Sequence, residues 1–197
     1  MKIKNLFLLL PLLLSGCSNN NFSSSLPAEI CNLKNLVVLE LVNSGVTGSI
    51  PYRIGDMKSL QCLWASGNNL SGSIPESICN LSGLLDLKLG SNSLRGTIPN
   101  LGLLGKVEVI SLENNMLEGP IPETIGKCAN LIKLDVSNNR ITGSIPSAIS
   151  YCKKLQILNA YSNRLDGDLP KTLGDCTELK QLRLNDNKLS GEIPASM

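Results

Sequence analysis

The chain has 197 residues, of which 42% are hydrophobic and 17% charged, with a formal net charge of +2 and no histidine. So balanced a charge sets up no field that would recruit nucleic acid or acidic substrates, and the missing histidine removes the commonest general base. Aromatic residues make up only 3%, so small regular units are expected instead of a core built on large rings.

The N-terminus reads MKIKNLFLLLPLLLSGCSNNNF. Lys2 and Lys4 precede an apolar run from Leu6 to Leu14, the pattern of an export signal and too short to span a bilayer. Residues 1–17 are therefore expected to be a signal peptide. The box LSGC, Leu14 to Cys17, also resembles a bacterial lipoprotein cleavage site, in which Cys17 would carry the lipid. From Asn20 onward another reading takes over. Asn20, Phe22 and Leu26-Pro27 fall in phase with a repeat that fills the rest of the chain, so residues 18–35 read as a degenerate N-terminal half-repeat. Leu12 also fits that phase, although Ser15 and Cys17 are poor occupants of the next two core positions. After the N-terminus no apolar run approaches the roughly 20 residues that a membrane helix needs.

The repeat is marked by Leu26-Pro27, Ile50-Pro51, Ile74-Pro75, Ile98-Pro99, Ile121-Pro122, Ile145-Pro146, Leu169-Pro170 and Ile193-Pro194, spaced 24 residues apart and once 23. Between the pairs lies LxxLxLxxNxLxG, as in LQCLWASGNNLSG from Leu60, LIKLDVSNNRITG from Leu131 and LKQLRLNDNKLSG from Leu179. Seven such cores begin at Leu36, Leu60, Leu84, Val107, Leu131, Leu155 and Leu179. The alternation in LxL predicts a short strand with one face buried. Strands of successive repeats would stack in parallel at about 4.8 Å. The Asn column (Asn68, Asn92, Asn115, Asn139, Asn163, Asn187) suits a turn in which side-chain amides satisfy free backbone groups. Ser44 replaces the first member. The shortening to 23 residues falls within Asn100–Lys106, on the expected back of the coil. No unit can bury its apolar side alone, so stacking must create the core.

This pattern resembles the plant-type leucine-rich repeat, LxxLxLxxNxLxGxIPxxIGxLxx, from Leu26 to the C-terminus. The resemblance implies an α/β-type solenoid: a leucine-rich repeat superhelix with a concave parallel β-sheet and short 3₁₀ or irregular convex segments. The repeat domain is expected over residues 36–197, with about seven 24-residue repeats and the last incomplete. It also implies an extracytoplasmic module of a receptor-like kinase or receptor-like protein, at the cell surface or secreted. Such a module binds a peptide, a small ligand or a protein partner, including a co-receptor. The family's usual N-terminal cap, with paired cysteines and a tryptophan, is missing.

Seven cysteines in an exported-looking chain raise the question of disulfides. Cys128, Cys152 and Cys176 occupy the column held by Leu33, Met57 and Leu81 in earlier repeats, so they read as small apolar fillers. Equivalent positions on adjacent coils come near disulfide range, so a pair there stays open. Cys31 and Cys79 share another phase two repeats apart, and Cys62 falls at a strand position. No CxxC pair occurs, so no metal or other cofactor is expected.

No nucleophile elbow or phosphate-cradling loop appears, and a Glu113–Asp135 acid/base pair is the weaker reading against a polar binding face. The chain is expected not to be an enzyme. Function should then reside in the variable positions between strand leucines. The central column carries Glu40, Trp64, Lys88, Ser111, Asp135, Asn159 and Arg183. The column two residues later carries Val42, Ser66, Gly90, Glu113, Ser137, Tyr161 and Asn185. Exposed aromatic residues and arginine concentrate binding energy. Trp64, Lys88, Asp135, Tyr161 and Arg183 are therefore the expected ligand contacts on the concave face. Three Asn-x-Ser triplets make Asn21, Asn69 and Asn80 glycosylation candidates in a eukaryotic host. The alternatives to a receptor-like module are an inhibitor of secreted polysaccharide-degrading enzymes and a bacterial surface lipoprotein.

Overall fold

The computed structural model describes residues 13, 14 and 17–197. The expected signal segment lies outside them apart from Leu13, Leu14 and Cys17. The architecture is a coil repeated along one axis, and its turns contribute strands to two parallel sheets. Among the described residues the first sheet has eight strands. It comprises Leu13–Leu14, Val38–Glu40, Cys62–Trp64, Asp86–Lys88, Val109–Ser111, Lys133–Asp135, Ile157–Asn159 and Gln181–Arg183. Each strand pairs with its counterpart one coil away, as in Leu63↔Leu87 and Leu134↔Leu158. These strands are the LxL segments.

A second parallel sheet, of seven strands among the described residues, was not foreseen from the sequence. It runs through the NxLxGx segments, from Thr47–Ser49 to Lys188–Ser190. Its physical origin is the buried leucine between Asn and Gly. In Asn69–Ser73 only Leu70 points inward while its neighbours face solvent, which is the alternation of a half-buried strand. The Gly column then turns the chain toward the Ile-Pro pair. Gly143, for example, has φ +73, a left-handed conformation that glycine adopts without a Cβ clash.

Behind the sheets run short 3₁₀ helices, such as Glu76–Asn80, Glu123–Lys127 and Ser147–Tyr151, each entered from the proline of an Ile-Pro pair. The missing residue of the 23-residue interval is taken from one of these. Leu101–Leu103 is three residues long and starts after Asn100 instead of a proline. The concave register passes this shortening undisturbed, with Asp86, Leu87 and Lys88 paired to Val109, Ile110 and Ser111.

The core is one continuous column of aliphatic side chains. Within one coil, Leu60, Leu63, Ala65, Leu70, Ile74, Ile78 and Leu81 are all buried. Full burial of each large member stabilises the fold by about 2 kcal/mol before the entropy of ordering is counted. Beside this column stands the asparagine ladder. The Asn139 Nδ2 donates to the carbonyls of Leu112, Val136 and Ser137 at 3.0, 3.1 and 3.1 Å, and its Oδ1 accepts from the Leu117 N–H at 2.9 Å. Asn92, Asn115, Asn163 and Asn187 repeat this arrangement. At the first rung Ser44 substitutes in part. Its Oγ donates to the Cys17 carbonyl at 2.6 Å and to the Val42 carbonyl at 3.1 Å. Its backbone oxygen, in place of an amide oxygen, receives the Phe22 N–H at 2.9 Å. Asn20 joins the same turn, donating to the carbonyls of Cys17 and Ser18.

All seven cysteines are free thiols. Those at Cys128, Cys152 and Cys176 form no disulfide. Instead they donate to the carbonyls of Leu101, Ile125 and Ile149 at 3.4, 3.3 and 3.5 Å. Burial pushes the Cys152 thiol up to about 12 and Cys128 and Cys79 up to about 11, so the reactive thiolate is scarce at these sites near neutral pH.

Two outcomes are expected. Asn139→Ala should lower stability in urea unfolding by about 2–4 kcal/mol, because several backbone groups lose their partner at once. Asn130→Ala, whose half-buried side chain bonds the Gly105 carbonyl and Lys154 at the surface, should cost under about 1 kcal/mol. In the native state an aromatic disulfide reagent should modify only the half-buried Cys17 and Cys62 rapidly, with the other thiols appearing on unfolding.

Candidate functional site

The concave sheet displays its variable residues on a continuous surface, because leucines at the alternate positions hold the strands to the core. Trp64, on the second full coil, is half-buried and oriented by its neighbours. Its indole Nε1–H donates to Asp86 Oδ2 at 3.2 Å. The same oxygen lies 3.0 Å from the Lys88 ammonium, which sits 4.8 Å from the centre of the Trp64 ring. An ion pair and a cation–π contact therefore converge on the indole. Asp86 is the member of this cluster that the sequence reading did not single out. Its signal was its place one strand along and one column aside from Trp64.

The central coils are more enclosed. Asp135 is 93% buried, its accessible fraction being 7%, and this corrects its expected role as an exposed contact. Its Oδ1 accepts from the Ser137 Oγ at 2.7 Å and the Ser137 N–H at 3.3 Å, and its Oδ2 accepts from Asn159 Nδ2 at 2.9 Å. Lys133 lies 3.5 Å from Oδ2. Asn159 in turn accepts from Gln181 Nε2 at 2.8 Å. The short side chains on adjacent strands let Asp135 fold along the sheet and satisfy them instead of reaching outward. A chain of hydrogen bonds thus ties three consecutive strands together beneath the surface.

Glu113 stands next to this chain and is only partly satisfied. Its Oε2 is buried without a hydrogen-bond partner. Burial, aided by the nearby negative charge of Asp135 and opposed by its own backbone N–H and Lys133, raises its carboxyl above the usual range.

Toward the C-terminal end, Tyr161 is half-buried, with its hydroxyl accepting from Asn138 Nδ2 at 3.5 Å. Arg183 is exposed and makes no ion pair among the described residues. Of the five expected contacts, the fold brings Trp64 and Lys88 into touch and places Tyr161 and Arg183 on neighbouring coils. Trp64 and Arg183 lie five coils apart, roughly 24 Å along the axis at sheet spacing.

The glycosylation candidates lie elsewhere. Asn69 is exposed on the lateral sheet, and Asn80 is exposed at the end of a convex 3₁₀ helix. Asn21 is exposed with its Oδ1 accepting from the Ser23 hydroxyl at 2.7 Å. Cys17, the lipidation candidate, packs partly buried against the core. No helix among the described residues is long and apolar enough to cross a membrane, and no cluster of three or more metal-ligating side chains occurs among them.

Leucine-rich repeat family models match residues 59–81, 106–128 and 129–189. The chain belongs to the leucine-rich repeat family. Receptor-like protein 32 from Arabidopsis thaliana is 45% identical over 42 residues, covering 21% of this leucine-rich repeat chain and 5% of the relative. The plant peptide hormone receptor RGFR1, solved in complex with RGF2, superposes with a TM-score of 0.86 at 39% identity, over 88% of this chain and 28% of that one. The Arabidopsis receptor kinase HAESA, solved with the peptide hormone IDA and the co-receptor SERK1, gives a TM-score of 0.87 at 34% identity over 90% and 30% of the two chains. This leucine-rich repeat chain therefore spans a twentieth of the curated relative and less than a third of each of these receptors.

Asp135→Ala should destabilise the protein by roughly 2 kcal/mol in urea, since Ser137 and Asn159 lose a shared buried acceptor. Arg183→Ala should change stability by less than about 0.5 kcal/mol. Equal losses at the two positions would contradict the assignment of Asp135 to the scaffold.

Proposed function

We propose that the chain is an extracytoplasmic recognition module of the receptor-like type, whose concave sheet binds a peptide or a protein partner. The observation that carries this reading is the Trp64–Asp86–Lys88 cluster. A large ring on the open sheet is held in one orientation by a hydrogen bond and a stacked cation. A ring ordered in advance loses little side-chain freedom when a ligand covers it, which favours affinity.

In this reading Trp64 and Lys88 contact the ligand at one end, and Tyr161 and Arg183 at the other. Asp135 acts from beneath, holding Asn159 and Ser137 in place. The receptors to which the chain is similar, solved with RGF2 or with IDA and SERK1, support a peptide and a co-receptor as the partner classes. Placement outside the cytoplasm agrees with exposed Asn69 and Asn80 as glycan sites, which enzymatic deglycosylation would reveal as a loss of mass.

The test is selection from a displayed library of random dodecapeptides on the purified protein. The selected peptides should lose at least tenfold in affinity, about 1.4 kcal/mol, for the Trp64→Ala, Tyr161→Ala double variant. Unchanged affinity would place the binding surface elsewhere.

A further inference from the structure

The centre of the concave face carries an arrangement that the ligand contacts do not use. Gly90 is buried on the coil before Glu113. A Cβ built on Gly90 would collide with the Glu113 carboxyl, its three nearest atoms being Cδ and both carboxyl oxygens. The carboxyl therefore lies in the space that any other residue at position 90 would fill. The equivalent positions on the flanking coils are Ser66 and Ser137, so this notch is peculiar to one step of the solenoid.

In this position the carboxyl is poorly served. Oε2 is buried and unpartnered. From the following coil Asp135 and Lys133 act on it with opposite signs, and Asp135 is itself saturated by Ser137 and Asn159. From the preceding coil Lys88 is engaged by Asp86 at 3.0 Å and by the Trp64 ring. Lys133, which also lies 3.5 Å from Asp135, is shared between two carboxylates, and an ionised group so placed carries a desolvation cost that a neutral acid avoids. A glutamate in the turn just past a concave strand can relieve that cost by rotating about its side-chain bonds into water.

We propose that Glu113 is a proton-linked latch over the centre of the concave face: neutral, it lies across Gly90; ionised, it lifts and uncovers that floor. The direction follows from the geometry. Burial favours the protonated form in the lowered position, and release into solvent favours the carboxylate. As pH rises, the floor opens and a negative charge moves outward, so a ligand group reaching Gly90 meets an anion only in the open state. This consequence for binding rests on the concave-face reading proposed above; the latch itself does not.

The latch can be read without a ligand. In protein carrying carbon-13 at the glutamate carboxyls, with the Glu113 signal assigned by Glu113→Gln, the Glu113 titration should fall above the ordinary glutamate range. The Gly90 amide should shift with the same midpoint. Gly90→Ala fills the notch, and its nearest contacts are with the movable end of Glu113 at an ordinary backbone angle, so the variant should fold. In it the Glu113 proton affinity should fall by roughly threefold or more. Glu113→Asp, too short to reach the notch, should titrate in the ordinary aspartate range and leave the Gly90 amide flat, which gives a second reading should Gly90→Ala not fold. A Gly90 amide that ignores Glu113 in the wild type would overturn the proposal, as would a Glu113 titration unchanged by Gly90→Ala. Neither result depends on whether the library yields a concave-face binder.

Discussion

Everything in this structure depends on how each coil satisfies its backbone where the chain turns out of the concave strand. There carbonyls such as those of Leu112 and Val136 turn away from the strand ladder and accept from a side-chain amide instead. One asparagine per coil answers the problem. Its amide serves carbonyls of its own coil and of the preceding one, and its oxygen takes an N–H from the preceding coil. The bond between coils matters most, because it fixes how one turn stacks on the next. The residue just before each ladder asparagine must be left-handed to deliver it. That column holds Asn43, Gly67, Ser91, Asn114, Asn138, Ser162 and Asp186, all at positive φ and mostly residue types that tolerate the conformation.

With stacking fixed, the aliphatic column has no freedom to slip. Its members meet in register, and the free thiols of Cys128, Cys152 and Cys176 join it as small apolar groups, each donating to a carbonyl of the coil before. A solenoid of this kind couples only nearest neighbours, so local chemistry stays local. That is why Trp64, Asp86 and Lys88 can form one polar cluster while Asp135, Asn159 and Gln181 form another on the same sheet.

Much of this was legible in the sequence because a fixed period turns position into geometry. The spacing of the Ile-Pro pairs was enough to assign the concave strands, the asparagine column and the back of the coil. The lateral sheet escaped because a single buried leucine between Asn and Gly is too short an alternation to announce a strand. At the site, phase told which face a residue occupies but not how far its side chain leans toward a neighbour. Asp135 and Lys88 occupy the same column, yet one is drawn beneath the surface by Ser137 and Asn159 while the other stretches over an indole. The notch at Gly90 was similarly hidden. Its glycine looked like one more variable position, and only the conformation of Glu113 on the next coil gives it meaning.

The shortened back segment at Leu101–Leu103 separates two jobs that most folds combine. One residue is lost from the convex arc, yet the strands on either side keep their register. Length on the back is thus decoupled from alignment on the front. The convex arcs therefore form a tolerant seam along which residues can be gained or lost, or a reporter group grafted, while the opposite sheet keeps its pattern of side chains intact.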